Sequence, residues 1–119
     1  MRSFLKKYIN KFYYAFSGLF HGITYDSSIA LQCILGIVAL FVFSFFELTA
    51  IEWMIVIALI ALVITLEFVN SAVEHVVDFI SPNYHPKAKI IKDYMAAAVL
   101  VISIAAGIIA CIILGGKLL

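Results

Sequence analysis

The sequence predicts an all-α membrane protein, in which an N-terminal amphipathic surface helix precedes three transmembrane helices. Of its 119 residues, 66% are hydrophobic and 13% are charged, which is about half the charged share of a soluble domain. Mean hydropathy is +1.16. A fold this small could not bury so much apolar surface in water. We therefore expect one membrane-embedded domain over residues 1–119.

The first element is a helix over about residues 3–20 that lies along the membrane surface. Its apolar side chains recur at helical spacing on one face, and lysines and polar residues occupy the other. Lysines at that position suit anionic lipid headgroups. The apolar face is formed by Phe4, Leu5, Tyr8, Ile9, Phe12, Tyr13, Phe16, Leu19 and Phe20.

Three transmembrane helices follow, over about residues 27–46, 51–80 and 93–116. The first and third contain long uncharged runs that can cross a hydrocarbon core of roughly 30 Å. The second is uncharged only up to Leu66, and three acidic residues then appear while the helical pattern continues. The turn signal at 81–86, with prolines at both ends of Asn83-Tyr84-His85, ends this helix.

Basic residues predict the orientation of these helices. Four lie before the first transmembrane helix and three between the second and third, whereas the 47–52 loop has none. The positive-inside bias therefore places the N-terminus and the acidic end of the second helix in the cytoplasm. The basic residues are Arg2, Lys6, Lys7, Lys11, Lys87, Lys89 and Lys92.

Several classes of function are excluded by composition and motif. The net charge is +1 with no basic block, so nucleic acid is not an expected partner. Neither common glycine-rich phosphate-binding motif occurs. The three histidines lack zinc-ligand spacing, and Cys33 and Cys111 lie inside apolar runs as inert thiols. Small residues every fourth position of the third span, from Ser103 to Gly115, predict close helix packing.

The acidic residues of the second span need a chemical explanation. Glu67, Asn70, Glu74 and Asp78 are spaced by three or four positions, which places them on one helix face. Charged groups near a bilayer usually mark function, and stacked carboxylates need a positive partner. That partner is either a divalent cation such as Mg²⁺ or lysines from beyond the turn. The remaining possibility is a helix end that is simply solvated.

The same stretch resembles the signature of the bacterial diacylglycerol kinase family, which includes the undecaprenol kinases. That signature is Glu, Asn, Ser or Thr, Ala, Glu and Asp at fixed spacing, matched here from Glu67 to Asp78. The segments 81–85, 88–93 and 96–100 continue the match, and 14–19 resembles the family's approach to its first membrane helix.

The resemblance implies a homotrimer with active sites shared between protomers. It also implies transfer of the terminal phosphate of ATP, with Mg²⁺, to a lipid hydroxyl at the cytoplasmic face of the bacterial membrane. Glu67 would be the general base, and Asp26 and Glu74 would bind the metal. Asn70 and Asp78 would support them on the same helix face. The nucleotide-contacting positions would be Lys7, Tyr14, Asp26, Glu74, Asn83, Tyr84, His85, Lys92 and Asp93.

Two departures from the family pattern keep alternatives open. Asp26 stands where the family usually has Glu, and Lys7 where it commonly has Arg. A member with a weakened metal site would gain activity from Asp26→Glu. The segment 81–86, followed by Ala88 and Lys89, resembles the Gram-positive branch of the family, which implies undecaprenol as acceptor, with diacylglycerol as the alternative. An alternative of another class is a non-enzymatic membrane subunit that uses the acidic stripe for docking.

Overall fold

The computed structural model describes all 119 residues and contains four α-helices and no strand. The helices are α1 (Arg2–Tyr25), α2 (Ser27–Phe43), α3 (Ala50–Ile80) and α4 (Pro86–Leu118). The predicted all-α class is confirmed. The molecule measures 52 × 48 × 22 Å, because α2, α3 and α4 pack in sequence while α1 projects from them as an arm.

The arm α1 ends later than the sequence predicts and turns abruptly into α2. It continues beyond position 20 to Tyr25, and the two helices meet at an angle of 95°. The bend occurs because Asp26 has an extended backbone (φ −107°, ψ 111°), and its side chain accepts the first backbone amides of α2. An aspartate is a strong helix N-cap, so it ends one helix by starting the next.

Two helices, α3 and α4, are each long and apolar enough to cross a membrane. The 17 residues of α2 rise by about 25 Å, somewhat less than a hydrocarbon core of roughly 30 Å. A third span is counted only when the bent pair α1 and α2 is taken as one. The chain is thus built for a membrane, and the three-span topology stays a prediction.

The end of α2 differs from the predicted boundary at residue 46. The helix stops at Phe43, and the Ser44 hydroxyl donates to the carbonyl of Phe41 at 2.5 Å. The next amides, of Phe45 and Phe46, bond three residues back instead of four. This tightening is a common way for a helix to end, and charge-free composition alone does not reveal it.

The helices α3 and α4 extend well beyond the thickness of a bilayer core. Their 31 and 33 residues rise by about 46 and 50 Å. Because α4 begins at Pro86 rather than near 93, the end of α3 and the start of α4 project together at one end of the pair. The predicted acidic residues Glu74 and Asp78 lie in this projecting part.

The opposite end of this helix pair is closed by an ion pair. Thr49 and Glu52 form a reciprocal capping box at the start of α3. The same Glu52 carboxylate lies 2.8 Å from Nζ of Lys117 near the end of α4. Lys117, which is isolated in the sequence, therefore joins the far ends of α3 and α4.

Very little of the chain is buried within itself. Nine of the 119 residues are buried, and the main apolar cluster is Phe43, Val56 and Ile113, one from each of the packed helices. The small-residue stripe of α4 does not serve this packing, since a Cβ added at Gly107 or Gly115 would touch nothing. The predicted close approach of helices through this stripe is not made inside one chain.

Close approach between helices occurs instead at Gly36 of α2. A Cβ there would lie 2.8 Å from Cγ2 of Ile60 on α3, so Gly36→Ala must push the two helices apart. We expect the folded state to lose about 1–3 kcal/mol, the usual range for overpacking. Thermal unfolding in detergent measures this loss. Gly116→Ala is the control because nothing lies near Gly116; equal melting temperatures for the two variants would contradict the prediction.

Candidate functional site

The only buried charged residue of the chain is Glu67, which lies on α3 with 7% of its surface exposed. The amide of Gln32 from α2 lies within reach of its carboxyl group, and the charges of Asp26 and Glu74 act on it. A carboxyl group among apolar helices is costly to bury. Its position between α2 and α3 is therefore a strong indication of a chemical role.

The predicted polar face of α3 lies on one continuous helix and changes from buried to exposed along it. Glu67 is buried, Asn70 is half-buried, and Glu74 and Asp78 are exposed. The Oδ1 atom of Asn70 is buried without a hydrogen-bond partner. Since buried polar atoms are normally paired, this oxygen is free to accept a hydrogen bond from a ligand or a water molecule.

Asp26 joins the bend between α1 and α2 to the polar face of α3. Its Oδ1 accepts the backbone amides of Ser28 and Ile29 at 3.0 and 3.2 Å. Its Oδ2 accepts a hydrogen bond from the hydroxyl of Ser71 on α3. Ser71 lies between Glu67 and Glu74 in the chain, so this contact brings Asp26 to the acidic face.

A cavity of about 540 Å³ opens at this junction, and we call it the corner cavity. It is bounded by the end of α1, the start of α2 and the middle of α3. The side chains of Asp26 and Glu74 both line it, together with Ser71 and two histidines, His21 and His75. The two residues predicted to bind metal therefore share one cavity, although they are 48 positions apart in sequence.

The surroundings of Asp26 favour its charged form. The Ser71 hydroxyl, followed by the amides of Ile29 and Ser28, holds the pKa of Asp26 below its ordinary value, although partial burial opposes this. Hydrogen bonds donated to a carboxylate stabilise the ionised state. Asp26 therefore carries a negative charge at neutral pH and faces the corner cavity as an anion.

The donor set of the corner cavity suits a hard cation. The acidic residues that line it are Asp26 and Glu74, and no cysteine or lysine is among the lining residues. No group of three or more His, Cys, Asp or Glu side chains is close enough to enclose a metal. Mg²⁺ is commonly held by one or two carboxylates together with substrate phosphates rather than by an all-protein cage. The residues present therefore fit Mg²⁺ bound together with a nucleotide.

Two ion pairs involve the predicted nucleotide-binding residues Lys92 and Asp93; the first joins α4 to the end of α3, and the second lies within α4. Nζ of Lys92 lies 2.5 Å from Asp78, and Nζ of Lys89 lies 2.6 Å from Asp93. A lysine partner for the acidic face is thus present at Asp78, whereas Glu74 takes part in no ion pair. The lysine partner predicted for the carboxylates is therefore present at Asp78, and the cation predicted for Glu74 stays a prediction.

The turn between α3 and α4 carries the remaining predicted nucleotide residues of this region. Asn83, Tyr84 and His85 are all exposed. Nδ1 of His85 accepts the backbone amide of Lys87 at 3.1 Å and so caps α4, and the carbonyl of Asn83 accepts from the Ser81 hydroxyl at 3.0 Å. The turn is ordered by its own hydrogen bonds and presents a tyrosine and an imidazole outward.

Two predicted residues, Lys7 and Tyr14, are not brought to the corner cavity of their own chain. They are exposed on α1, about 28 and 18 Å along the helix axis from Asp26. No hydrogen bond or ion pair joins α1 to the 81–93 segment. Within one chain the predicted site is therefore divided into three parts. These are the corner cavity, the arm α1, and a turn cluster formed by Asn83, Tyr84, His85, Lys92 and Asp93.

Three further residues of the site have no clear signal in the sequence. Gln32 reaches Glu67 from α2, and Ser71 fixes Asp26. Gly22 is buried where the end of α1 crosses α3, and a Cβ there would overlap the ring of Phe68. Ser71 lies within the matched signature, but its partner is 45 positions away, and no local pattern identifies such a contact.

Comparison with known proteins identifies the family of the chain. Residues 13–114 match the sequence model of the prokaryotic diacylglycerol kinases. The chain is 46% identical over 72 residues to an undecaprenol kinase of Bacillus subtilis, a match that covers 60% of this chain and 58% of that protein. It is 35% identical over 109 residues to a diacylglycerol kinase of Synechocystis, covering 91% of this chain and 59% of that protein.

The matched regions thus span less than two thirds of the length of either relative. The family match, by contrast, includes Asp26, all of α2 and α3, and the turn cluster. The family match therefore covers every residue that lines the corner cavity, and also the buried Glu67. The chain belongs to the prokaryotic diacylglycerol kinase family.

Proposed function

We propose that the protein is a lipid kinase that transfers the terminal phosphate of ATP to the hydroxyl of a membrane lipid. The observation that carries this proposal is the arrangement on α3. A buried carboxyl group at Glu67 lies about 10 Å along the helix from Glu74, which shares the corner cavity with Asp26. A base near the lipid and an anionic metal site near the surface are the two groups that this reaction requires.

The roles follow from position and chemistry. Bound Mg²⁺ would neutralise developing charge on the phosphates. Asp26 and Glu74 would hold that ion, since both line the corner cavity. Glu67 accepts the proton of the lipid hydroxyl at a depth where the apolar tail remains in the membrane. Asn70 and Asp78, on the same face of α3, would help to orient the metal and phosphates; Oδ1 of Asn70, which is buried without a hydrogen-bond partner, supports this role.

The nucleotide is proposed to extend from the corner cavity toward the turn cluster. Lys92 supplies positive charge there, and its side chain is 37% exposed, so it can approach a phosphate. Asp93 and the exposed side chains of Asn83, Tyr84 and His85 contact the remainder of the nucleotide. These contacts need only positioning and charge, because phosphoryl transfer involves little covalent chemistry of the protein.

The functional unit is proposed to be a homotrimer in the cell membrane, with its N-terminus in the cytoplasm. Three observations support shared sites. Lys7 and Tyr14 are carried away from their own corner cavity by α1, the small-residue stripe of α4 has no partner in its chain, and only nine residues are buried. A neighbouring copy of the chain would supply the missing walls of the site.

The acceptor is proposed to be undecaprenol, with diacylglycerol as the alternative. The relative named undecaprenol kinase is 46% identical, and the one named diacylglycerol kinase is 35% identical. An apolar cavity of about 140 Å³ between α2, α3 and α4, with Gln32 among its lining residues, gives an apolar chain access to the region of Glu67.

Transfer of labelled terminal phosphate from ATP and Mg²⁺ in mixed micelles tests the proposed function. Both lipids are offered side by side, and we expect undecaprenol to be phosphorylated at the higher kcat/KM. A higher value for diacylglycerol would reverse the assignment of the acceptor. Transfer to neither lipid, combined with no binding of ATP and Mg²⁺, would exclude the kinase.

A further inference from the structure

The hydroxyl of Ser71 makes the one side-chain hydrogen bond that joins α3 to the bend between α1 and α2. It donates to Oδ2 of Asp26, and the chain's other hydrogen bonds between two side chains join Lys89 to Asp93 and Lys92 to Asp78. Ser71 is half-buried and lines the corner cavity beside both predicted metal ligands. The proposed reaction leaves this hydroxyl without a role of its own.

Both oxygens of the Asp26 carboxylate are held from defined directions. Oδ1 is fixed by two amides at the start of α2, and Oδ2 is fixed by Ser71. An ionised carboxylate has about four acceptor positions, so these three donors leave capacity for a cation. The two amides restrain Oδ1 from within α2. Ser71 adds a restraint on Oδ2 from a different helix, α3.

Ser71 also determines where this carboxylate lies relative to Glu74. Ser71 and Glu74 are three positions apart on α3 and therefore lie on neighbouring parts of one face. A hydrogen bond to Ser71 places Asp26 within about one helical turn of Glu74.

We infer that Ser71 is a positioning residue for Asp26, which it holds at the corner cavity so that Asp26 and Glu74 bind Mg²⁺ together. The inference rests on the proposed lipid kinase function. Ser71 touches neither the lipid nor the transferred phosphate in this role and acts only through Asp26. Loss of a group that orients a metal ligand typically lowers metal affinity by about 10–100-fold.

The test compares Ser71→Ala, which removes the hydroxyl, with Ser71→Thr, which keeps it. Binding of Mn²⁺ in the presence of a non-hydrolysable ATP analogue is followed by loss of the EPR signal of free Mn²⁺. We expect Ser71→Ala to bind Mn²⁺ about 10-fold more weakly and Ser71→Thr to lie within about twofold of the wild type. Ser17→Ala, at an exposed serine of α1 that does not line the cavity, is the control and should bind normally.

Kinetics of the same proteins separate positioning from a general loss of structure. Ser71→Ala should raise the Mg²⁺ concentration needed for half-maximal transfer by a similar factor, while KM for the lipid stays unchanged and saturating Mg²⁺ restores most of kcat. An equal loss in kcat at every Mg²⁺ concentration would overturn the inference. If Ser71→Ala does not fold, Ser71→Cys keeps the volume with only a weak donor and is used in its place.

The outcomes for the inference and for the proposed function are distinguishable. Wild-type protein that neither binds Mn²⁺ with the ATP analogue nor phosphorylates lipid would overturn both. A wild type that does both, together with Ser71→Ala that binds Mn²⁺ as tightly as Ser17→Ala, would overturn the role of Ser71 and leave the kinase intact.

Discussion

Glu67→Gln is expected to lower phosphate transfer to lipid by at least about 100-fold, because a positioned general base contributes roughly that much or more. Glutamine has nearly the same shape and can keep the contact with Gln32, but it cannot accept a proton at neutral pH. Replacing a buried carboxyl group by an amide also removes no packing. The variant should therefore fold, bind ATP with Mg²⁺, and fail in the chemical step.

The measurement is the initial rate of labelled phosphate transfer at saturating ATP, Mg²⁺ and lipid. Glu47→Gln is the matched control, since Glu47 is an exposed glutamate in the loop between α2 and α3. Its rate should equal that of the wild type. A rate for Glu67→Gln above about a tenth of the wild-type value would exclude Glu67 as the base.

The length of α3 follows closely from the sequence, whereas the length of α1 does not. Apolar periodicity and the turn at 81–86 predict a helix over 51–80, and the observed helix is Ala50–Ile80. In α1 the apolar face fades near residue 20, yet the helix continues to Tyr25. It ends only where Asp26 caps α2. An aspartate in a helical run can continue a helix or begin a new one, and the apolar pattern alone does not decide between them.

One part of the candidate site follows from spacing within a helix, and the other part depends on contacts between residues far apart in the sequence. Glu67, Asn70, Glu74 and Asp78 share a face because their spacing requires it, and this part could be predicted. A lysine is one of the two partners predicted for the carboxylates, and the structure contains such a pair between Lys92 and Asp78. The contact of Gln32 with Glu67 depends on how α2 crosses α3, so no spacing within either helix reveals it.

Substitution of Asp26 is expected to separate its two roles, as a cap of α2 and as a metal ligand. Asn caps helices about as well as Asp, so Asp26→Asn should retain the melting temperature of the wild type. It removes the negative charge, however, and we expect transfer to fall by about 100-fold, equivalent to about 3 kcal/mol of lost stabilisation by the metal. Glu74→Gln should show a similar loss, because Glu74 lies on the opposite wall of the corner cavity.

Asp26→Ala loses both roles. Its free energy of unfolding should therefore fall by about 1 kcal/mol, and it should also lose phosphate transfer. Thermal unfolding in detergent and the rate of transfer, measured on the same samples, provide both readouts. A variant Asp26→Asn that keeps full activity would show that the charge is dispensable and would remove Asp26 from the metal site. Equal unfolding of Asp26→Asn and Asp26→Ala would show that the cap contributes little.

Asp26→Glu completes the series because it keeps the charge and changes the geometry. A glutamate carboxylate reaches farther by about one C–C bond, or 1.5 Å, and cannot accept the amides of Ser28 and Ile29 in the same way. If the metal ligand alone determined which residue stands here, activity would rise with the family's usual glutamate. In the structure the shorter side chain makes both the cap of α2 and the contact with Ser71, and a longer one would have to give up part of this geometry. We therefore expect Asp26→Glu to lower stability and to leave the rate of transfer at or below the wild-type value; a gain in rate would mean that aspartate weakens the metal site.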